Sequence, residues 1–241
     1  MYKRQLLREP RRGSQVAQAS AAIPEVSIAD VSLHLKLHAR AYLALIGSMS
    51  MLAILGYGTM AWYPEFLMRT YGMDRATAGG QLGVILLVAG SLGTLAGGRS
   101  VQPLARRGRS DAPLLVILAC SMLWLVPAVL GPLAANATLA VLAACPIIFF
   151  LNAYFGVGIT GVQLITPTSM RAQVSALMLF STNLFGLAFG PSAVAILTDF
   201  AFGNDLALRY SLALLPLVVC PVAAGLVWQG MRGYREAVTP T

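Results

Sequence analysis

The distribution of apolar and charged positions along the chain predicts its architecture. Five stretches contain no charged residue, and they are 41–64, 76–98, 112–170, 172–198 and 210–231. Each of the four shorter stretches has the length of about 20 residues that a helix needs to cross a bilayer core of about 30 Å. The third is more than twice as long and contains Gly131-Pro132 and Asn136, a turn signal. The pattern therefore predicts an all-α polytopic membrane protein with six transmembrane helices, named spans 1 to 6 in chain order.

The charged residues support this prediction and orient the spans. All 17 Lys and Arg and all nine Asp and Glu lie between or outside the apolar stretches, because a charge at mid-bilayer is costly. Loops on one side hold 14 basic residues (seven before span 1, four at 99–109, one at Arg171 and two after Met231), whereas the other side holds three. This positive-inside bias predicts that both termini and the loop after span 2 are cytoplasmic. The net charge of +8 thus does not indicate nucleic-acid binding.

The remaining composition restricts the compartment and the chemistry. Fifteen Arg against two Lys, with abundant Ala, Gly and Leu, indicate GC-rich coding DNA and favour a bacterial inner membrane. The three cysteines all lie inside spans without disulfide or metal spacing, so we expect apolar filler residues. No histidine lies within a span and no nucleotide or metal motif is present. We therefore expect neither an enzyme nor a bound cofactor.

The N-terminal region has a separate character. Residues 1–40 lack the apolar core and cleavage site of a signal peptide and have the composition of a cytoplasmic linker. Residues 1–5 match the translated end of a sequencing-library transposon, which predicts an artefact at this end and a protein that continues upstream. Apolar residues at helical spacing over 28–39 predict a helix at the membrane interface. We expect a linker 1–40, a bundle 41–231 and a cytoplasmic tail 232–241.

Small residues distinguish spans 2 and 5 from the others. They recur at spacings of about one or two helical turns, which lets two helix backbones approach closely in a bilayer. The predicted packing and interface residues are Gly79, Gly83, Gly90, Gly93 and Gly97 in span 2, and Asn183, Gly186 and Gly190 in span 5. Spans 3 and 6 are rich in Leu, Val, Ile and Ala, and we expect them to face lipid.

Spans 1 and 4 are the polar ones, and glycine and proline interrupt them. Asn152, Gly156, Thr160 and Gln163 share one helical face of span 4. Interrupted segments at matching positions of two repeats indicate a transporter's binding site, and here they open two units of three helices, so we predict an inverted 3+3 arrangement. The predicted cavity residues are Tyr57, Thr59, Trp62, Glu65, Asn152, Tyr154, Thr160 and Gln163.

Several of these residues have a simpler interpretation that stays open. Glu65 is either a coupling carboxylate or the partner of Arg69 in an i,i+4 pair. Asn152 and Gln163 are either substrate ligands or interhelical hydrogen-bonding residues. Trp62 is either a cavity wall or part of an interfacial aromatic belt.

From about residue 36 to 235 the chain resembles the C-terminal half of a major facilitator superfamily transporter. The loop Gly97-Gly98-Arg99-Ser100-Val101-Gln102-Pro103-Leu104-Ala105-Arg106-Arg107-Gly108-Arg109 is similar to that family's Gly-x-x-x-Asp-Arg-x-Gly-Arg loop, with Gln102 in place of the Asp. The resemblance implies cavity-lining first helices, second helices against the other half, and lipid-facing third helices. It also implies a cytoplasmic gating loop that includes Gly98, Arg106, Arg107 and Arg109, for which the alternative is that the arginines only fix topology.

Local motifs resemble the spinster-like branch of that family. They are Trp62-Tyr63-Pro64 with Arg69, Arg171-Ala172-x-x-Ser175-Ala176, Asn183-x-x-Gly186-x-x-x-Gly190-Pro191, and Asp199. Eukaryotic members move lysolipids and sphingoid lipids, and bacterial members have poorly defined substrates. We therefore expect one half of an alternating-access carrier for a small organic solute or lipid-like amphiphile. Its expected partners are membrane lipid and the missing N-terminal half or a second copy. A non-transporting scaffold or a self-sufficient homodimeric carrier is the alternative.

Overall fold

Six long helices and one short one make up the described part of the chain. The computed structural model describes residues 27–238, so the expectations for residues 1–26 and 239–241 lie outside it. A short N-terminal helix covers Ile28–Leu37. Six helices long and apolar enough to cross a membrane follow it. Spans 1 to 6 are Ala39–Tyr71, Arg75–Arg106, Ala112–Leu130, Ala137–Ile165, Arg171–Phe202 and Leu208–Val238. The prediction of six transmembrane helices is confirmed, as is the predicted turn between spans 3 and 4.

Local signals fix where the helices begin and end. Ser27 and Asp30 form a capping box at the start of the N-terminal helix. Span 1 ends at Gly72, whose φ of 66° places it in the left-handed region that favours glycine. The Asp74 and Asn136 side chains accept hydrogen bonds from the first turns of spans 2 and 4, at Thr77 N (3.0 Å) and Leu139 N (2.9 Å).

Two expectations about the helices are corrected, one on interruptions within spans and one on the length of a loop. Spans 1 and 4 are continuous helices with Pro64 and Pro146 inside them, because transmembrane helices tolerate proline where neighbouring groups satisfy the freed carbonyls. The arginine-rich loop is also shorter than predicted, since the helix of span 2 runs through Pro103 to Arg106. The expected tail from 232 is helical to Val238 and packed on the bundle.

The order of neighbouring spans confirms two units of three helices. Span 1 packs on span 5 and span 2 packs on span 4. Span 1 also packs on span 6, and span 4 packs on span 3, while spans 3 and 6 pack on each other. Exchanging spans 1, 2, 3 with spans 4, 5, 6 leaves this neighbour pattern unchanged. The members of each exchanged pair are three positions apart in the order of spans, so they cross the membrane in opposite directions, which is the inverted 3+3 arrangement.

The exposure of the spans differs from the expectation that spans 3 and 6 face lipid most. In spans 2 and 5 only 22% of the most apolar window is buried, against 44% and 50% in spans 3 and 6. Spans 3 and 6 pack on each other, and their buried residues include Trp124 and Cys220. Spans 2 and 5 touch the bundle mainly along a stripe of small residues, which leaves a wide apolar face uncovered.

The two ends of the bundle are tied by different groups. The arginine-rich end consists of residues 28–40, 99–111, 166–171 and 231–238. There the buried Asp111 carboxylate accepts hydrogen bonds from Arg235 (2.6 Å) and Arg109 (3.1 Å). The Tyr234 hydroxyl donates to Gly161 O at 2.9 Å. At the opposite end the hydroxyls of Tyr63 and Tyr71 donate to carbonyls at the start of span 4 and just before it.

Candidate functional site

A small cavity lies where spans 1, 4 and 5 meet near mid-bundle. Its volume is about 200 Å³. Its wall includes Tyr57 and Met60 of span 1, Asn152 and Phe155 of span 4, and Thr182 of span 5. Tyr154 also contributes to this wall although it is buried and stacked on Trp124, with ring centroids 5.8 Å apart. The structure thus brings together three of the predicted cavity residues, Tyr57, Asn152 and Tyr154.

The polar face of span 4 extends from this cavity towards the arginine-rich end. Asn152 and Gly156 are half-buried, and Thr160 and Gln163 are exposed. A Cβ atom at Gly156 would meet no other atom within 4 Å, so none of the other spans packs on this part of the face. Thr160 lies eight residues after Asn152 and Gln163 eleven, which correspond to about 12 Å and 16 Å along the helix. We call these four residues the polar stripe.

The polar groups of the cavity bind mostly to helix carbonyls and to one another. The Tyr57 hydroxyl donates to Asn183 Oδ1 at 2.5 Å, and Asn183 Nδ2 donates to Leu179 O at 2.8 Å. Asn152 Nδ2 donates to Ile148 O at 2.9 Å. Thr182 Oγ1 is buried without a hydrogen-bond partner within the described residues. Within the part of the chain that the structure describes, the cavity therefore has neutral donors and acceptors, apolar walls and no charged side chain.

The other predicted cavity residues lie elsewhere. Thr59 is buried in a separate cleft of about 200 Å³ between spans 1, 2 and 4, beside Pro64 and Gly83. Trp62 Nε1 donates to Pro191 O at 2.9 Å and ties span 1 to span 5. Glu65 forms an ion pair of 2.6 Å with Arg69, and both side chains are 32% exposed. The simpler interpretation of Glu65 as a helix-surface partner of Arg69 is the one that this geometry supports.

The predicted packing glycines divide into two kinds. A Cβ at Gly93 or Gly97 would overlap the span 4 carbonyl oxygens of Phe149 or Ala153, and a Cβ at Gly90 would lie 3.2 Å from Asn152 Nδ2. By contrast, Gly79 and Gly83 have nothing within 4 Å of such a Cβ. Within span 2, the glycines nearer the arginine-rich end therefore pack inside the bundle, whereas Gly79 and Gly83 line the cleft that contains Thr59.

Span 5 makes the corresponding crossing with span 1. A Cβ at Gly190 would lie 2.7 Å from Ile54 O and 2.8 Å from Gly58 N, and one at Gly186 would overlap the Tyr57 ring. Asn183, predicted as a packing residue, hydrogen-bonds Tyr57 at the cavity. The expectation that spans 2 and 5 use these glycines against the other half is corrected for Gly93, Gly97, Gly186 and Gly190, because spans 4 and 1 of the same chain pack on them.

The predicted gating residues surround a short loop at the arginine-rich end. Gly98, Arg106 and Arg107 are exposed, and Gly108 has a φ of 75°. Burial raises the pKa of Asp111, but the hydrogen bonds and charges of Arg109 and Arg235 outweigh it and hold the pKa below its ordinary value. Burial lowers the pKa of His34, whose Nε2 lies 3.1 Å from the Tyr42 hydroxyl.

Sequence reasoning missed Asp111, Thr182, Met60 and Phe155. An acidic residue beside an arginine-rich loop looks like a solvated charge, and only the packing of span 6 shows that Asp111 is buried. Among residues 27–238, no group of three or more His, Cys, Asp or Glu side chains is arranged to hold a metal ion.

Comparison with known proteins agrees with this architecture. No protein-family model matches the chain. An MFS-type efflux pump of Mycolicibacterium smegmatis is 31% identical over 201 residues, which cover 82% of this chain and 46% of that protein. The chain spans about half the length of this curated relative. The relative is a transporter, not an enzyme.

Two solved structures of a bacterial homologue of the human lysosomal transporter Spinster share the fold. The inward-facing, unoccupied structure superposes with a TM-score of 0.68 at 17% identity and covers 97% of this chain and 55% of that one. The inward-facing, occupied structure gives 0.56 at 18% identity and covers 82% and 49%.

These matches and the inverted 3+3 arrangement define a multi-pass membrane protein with one six-helix half of a major facilitator superfamily fold. The predicted resemblance is confirmed at the level of the fold: the chain is similar in sequence to an MFS-type efflux pump and in structure to a bacterial homologue of Spinster.

Proposed function

We propose that the chain is the C-terminal half of an alternating-access secondary carrier in the bacterial inner membrane, with both termini cytoplasmic. The single observation that carries this proposal is the uncovered polar stripe of span 4, which continues the cavity between spans 1, 4 and 5. Hydroxyl and amide groups exposed to hydrocarbon lose hydrogen bonds to water and are disfavoured there. A second six-helix bundle opposite the stripe would enclose these groups in a water-filled cavity.

The lining indicates the class of solute. The cavity has neutral polar groups beside Met60, Phe155 and Tyr57 and no charged side chain, so this half fits a neutral or amphiphilic organic solute better than a strongly ionic one. Such a lining, apolar with a few polar groups, is typical of small-molecule sites. Transport would proceed by rocking of this bundle against its partner around the shared cavity.

Cysteine accessibility in membranes tests the proposal. In a background with the three native cysteines replaced, we compare Thr160→Cys and Gln163→Cys with Leu217→Cys and Val218→Cys, in the chain co-expressed with its other half. All four positions are exposed in the isolated bundle, so they differ only in what surrounds them. We expect a water-soluble thiol reagent to label the first pair and not the second. Equal labelling of both pairs would contradict a water-filled cavity at the stripe.

A further inference from the structure

A long apolar groove lies on the flank of the bundle at its arginine-rich end, apart from the central cavity. Its volume is about 520 Å³, and it shares no lining residue with that cavity. Spans 1, 5 and 6 and the N-terminal helix form its walls. Its main apolar lining residues are Leu43, Ile46, Met51, Leu177, Phe185 and Leu226. The groove exists because spans 5 and 6 both pack on span 1 and make little contact with each other.

The rim of the groove indicates a hydrocarbon environment. Leu43 is 67% exposed, Leu177 40% and Phe185 41%. Large apolar side chains that are this exposed around one concave surface mark a site that an apolar partner covers. The central cavity lies between spans 1, 4 and 5, whereas the groove lies between spans 1, 5 and 6, and span 6 packs on span 3. The groove therefore lies at the side of the bundle.

The length of the groove matches one leaflet of a membrane. Its lining runs along span 1 from Ala39, the first residue of the span, to Met51. Twelve residues of helix rise about 18 Å, and half of a hydrocarbon core of about 30 Å is about 15 Å. An acyl chain that enters from the surface at the arginine-rich end would therefore fill the groove and stop near the bilayer centre.

Among residues 27–238, Lys36 is the one cation that lines the groove, and it lies at the mouth. Lys36 is exposed, and within residues 27–238 its ammonium group makes no hydrogen bond or ion pair. Lysine at a membrane surface extends its ammonium group towards the headgroup level. There it attracts anionic lipid with about 1 kcal/mol, which is about a fivefold effect on affinity.

We propose that this groove binds one acyl chain of an anionic membrane phospholipid, with the lipid phosphate against Lys36. The lipid is a resident ligand of the bundle, separate from the solute of the central cavity. The proposal thus goes beyond the transport function, and a binding measurement tests it whether or not the chain transports anything.

The first test uses native mass spectrometry of the purified 241-residue chain in detergent, titrated with phosphatidylglycerol or phosphatidylethanolamine of the same acyl composition. Lys36→Gln is expected to weaken phosphatidylglycerol binding about fivefold and to remove its preference over phosphatidylethanolamine. Arg232→Gln, an exposed cation at the same end but outside the groove, is the matched control and should change neither affinity. An unchanged preference in Lys36→Gln would overturn the headgroup assignment.

The second test fills the groove. Ser181→Trp places a large ring against the lining and is expected to abolish binding of both lipids, whereas Leu217→Trp on the exposed face of span 6 should leave binding intact. Undiminished binding in Ser181→Trp, with helix content retained by circular dichroism, refutes the site.

Labelling of the unmodified chain keeps the proposal testable if that variant misfolds. A phosphatidylglycerol with a photoreactive acyl chain should label peptides that contain 43–51 and 177–185, and labelling confined to other spans overturns the proposal. A dimer that forms while lipid binding is absent would instead assign the groove to a second copy.

Discussion

Gly97 and Gly98 are neighbours in span 2 with opposite surroundings, and replacing each with alanine gives a sharp test of the helix crossing. A Cβ at Gly98 would meet nothing within 4 Å. A Cβ at Gly97 would overlap the Ala153 carbonyl oxygen and lie 2.7 Å from its carbon and 2.9 Å from Cα. These are backbone atoms of span 4, which no side-chain rotation can move away. The two substitutions add the same methyl group to the same helix.

The magnitude follows from these distances. To restore an ordinary contact of 3.4 Å with the Ala153 carbonyl carbon, the two helices must separate locally by at least 0.7 Å. Overpacking of this kind in a well-packed interior costs about 1–3 kcal/mol. Alanine is favoured over glycine in a helix by up to about 1 kcal/mol, and only Gly98→Ala gains this without the overlap. Both variants gain this propensity, so it cancels between them, and we expect Gly97→Ala to be less stable than Gly98→Ala by the overpacking cost of about 1–3 kcal/mol.

Thermal unfolding of the purified chain in detergent measures the difference, with tryptophan fluorescence as the signal. For a domain of this size 1 kcal/mol corresponds to about 2–4 °C in Tm. The Tm of Gly97→Ala should thus lie roughly 2–12 °C below that of Gly98→Ala. If both variants unfold at the same temperature, the close crossing of spans 2 and 4 is refuted.

Three further predictions concern the arginine-rich end, the cavity and the topology. Asp111→Asn should lower Tm at neutral pH. In the wild type, the ionised Asp111 carboxylate adds stability that is lost as pH falls below about 4, because its pKa is lower in the folded state than in the unfolded state. The asparagine side chain of the variant cannot titrate, so the difference in Tm between wild type and Asp111→Asn should shrink at low pH. A difference in Tm that does not change with pH would contradict this prediction. A double-mutant cycle of Tyr57→Phe and Asn183→Leu should give a coupling of about 0.6 kcal/mol, up to about 1.7, whereas additive unfolding free energies would exclude the hydrogen bond. Reporter fusions after Arg109 should be cytoplasmic and those near Asn136 external, and an external signal at Arg109 would reverse the orientation.

The number and order of the helices were predictable because charge is excluded from hydrocarbon over whole helix lengths. The break between spans 3 and 4 was predictable for the same kind of local reason, since Gly131-Pro132 ends one helix and Asn136 caps the next. The other helix ends could not be predicted in this way. Arg106 and Arg69 lie inside helices because a long cationic side chain reaches the interface while its backbone stays hydrogen-bonded.

Which residues contact the predicted site residues depends on tertiary packing. The sequence could therefore indicate candidate site residues but not their partners. Tyr57 and Asn183 are separated by 126 positions, and nothing local distinguishes a cavity hydrogen bond from a packing residue. Glycine spacing correctly indicated close helix crossings, but it carries no information on which helix is crossed. Thr59 shows the same limit, because it shares a span with Tyr57 and yet lies in a different cleft.

The exchange of the two helix triplets, which leaves every neighbour relation in place, has a consequence for biogenesis. Turning such a bundle over in the membrane reproduces almost the same helix arrangement, so helix packing alone distinguishes the two orientations only weakly. The information on which end faces the cytoplasm is then held by the segments at the helix ends, through nine basic residues at one end against three at the other within residues 27–238. Helix packing and membrane orientation are encoded in different residues of this chain, and each can change in evolution with little effect on the other.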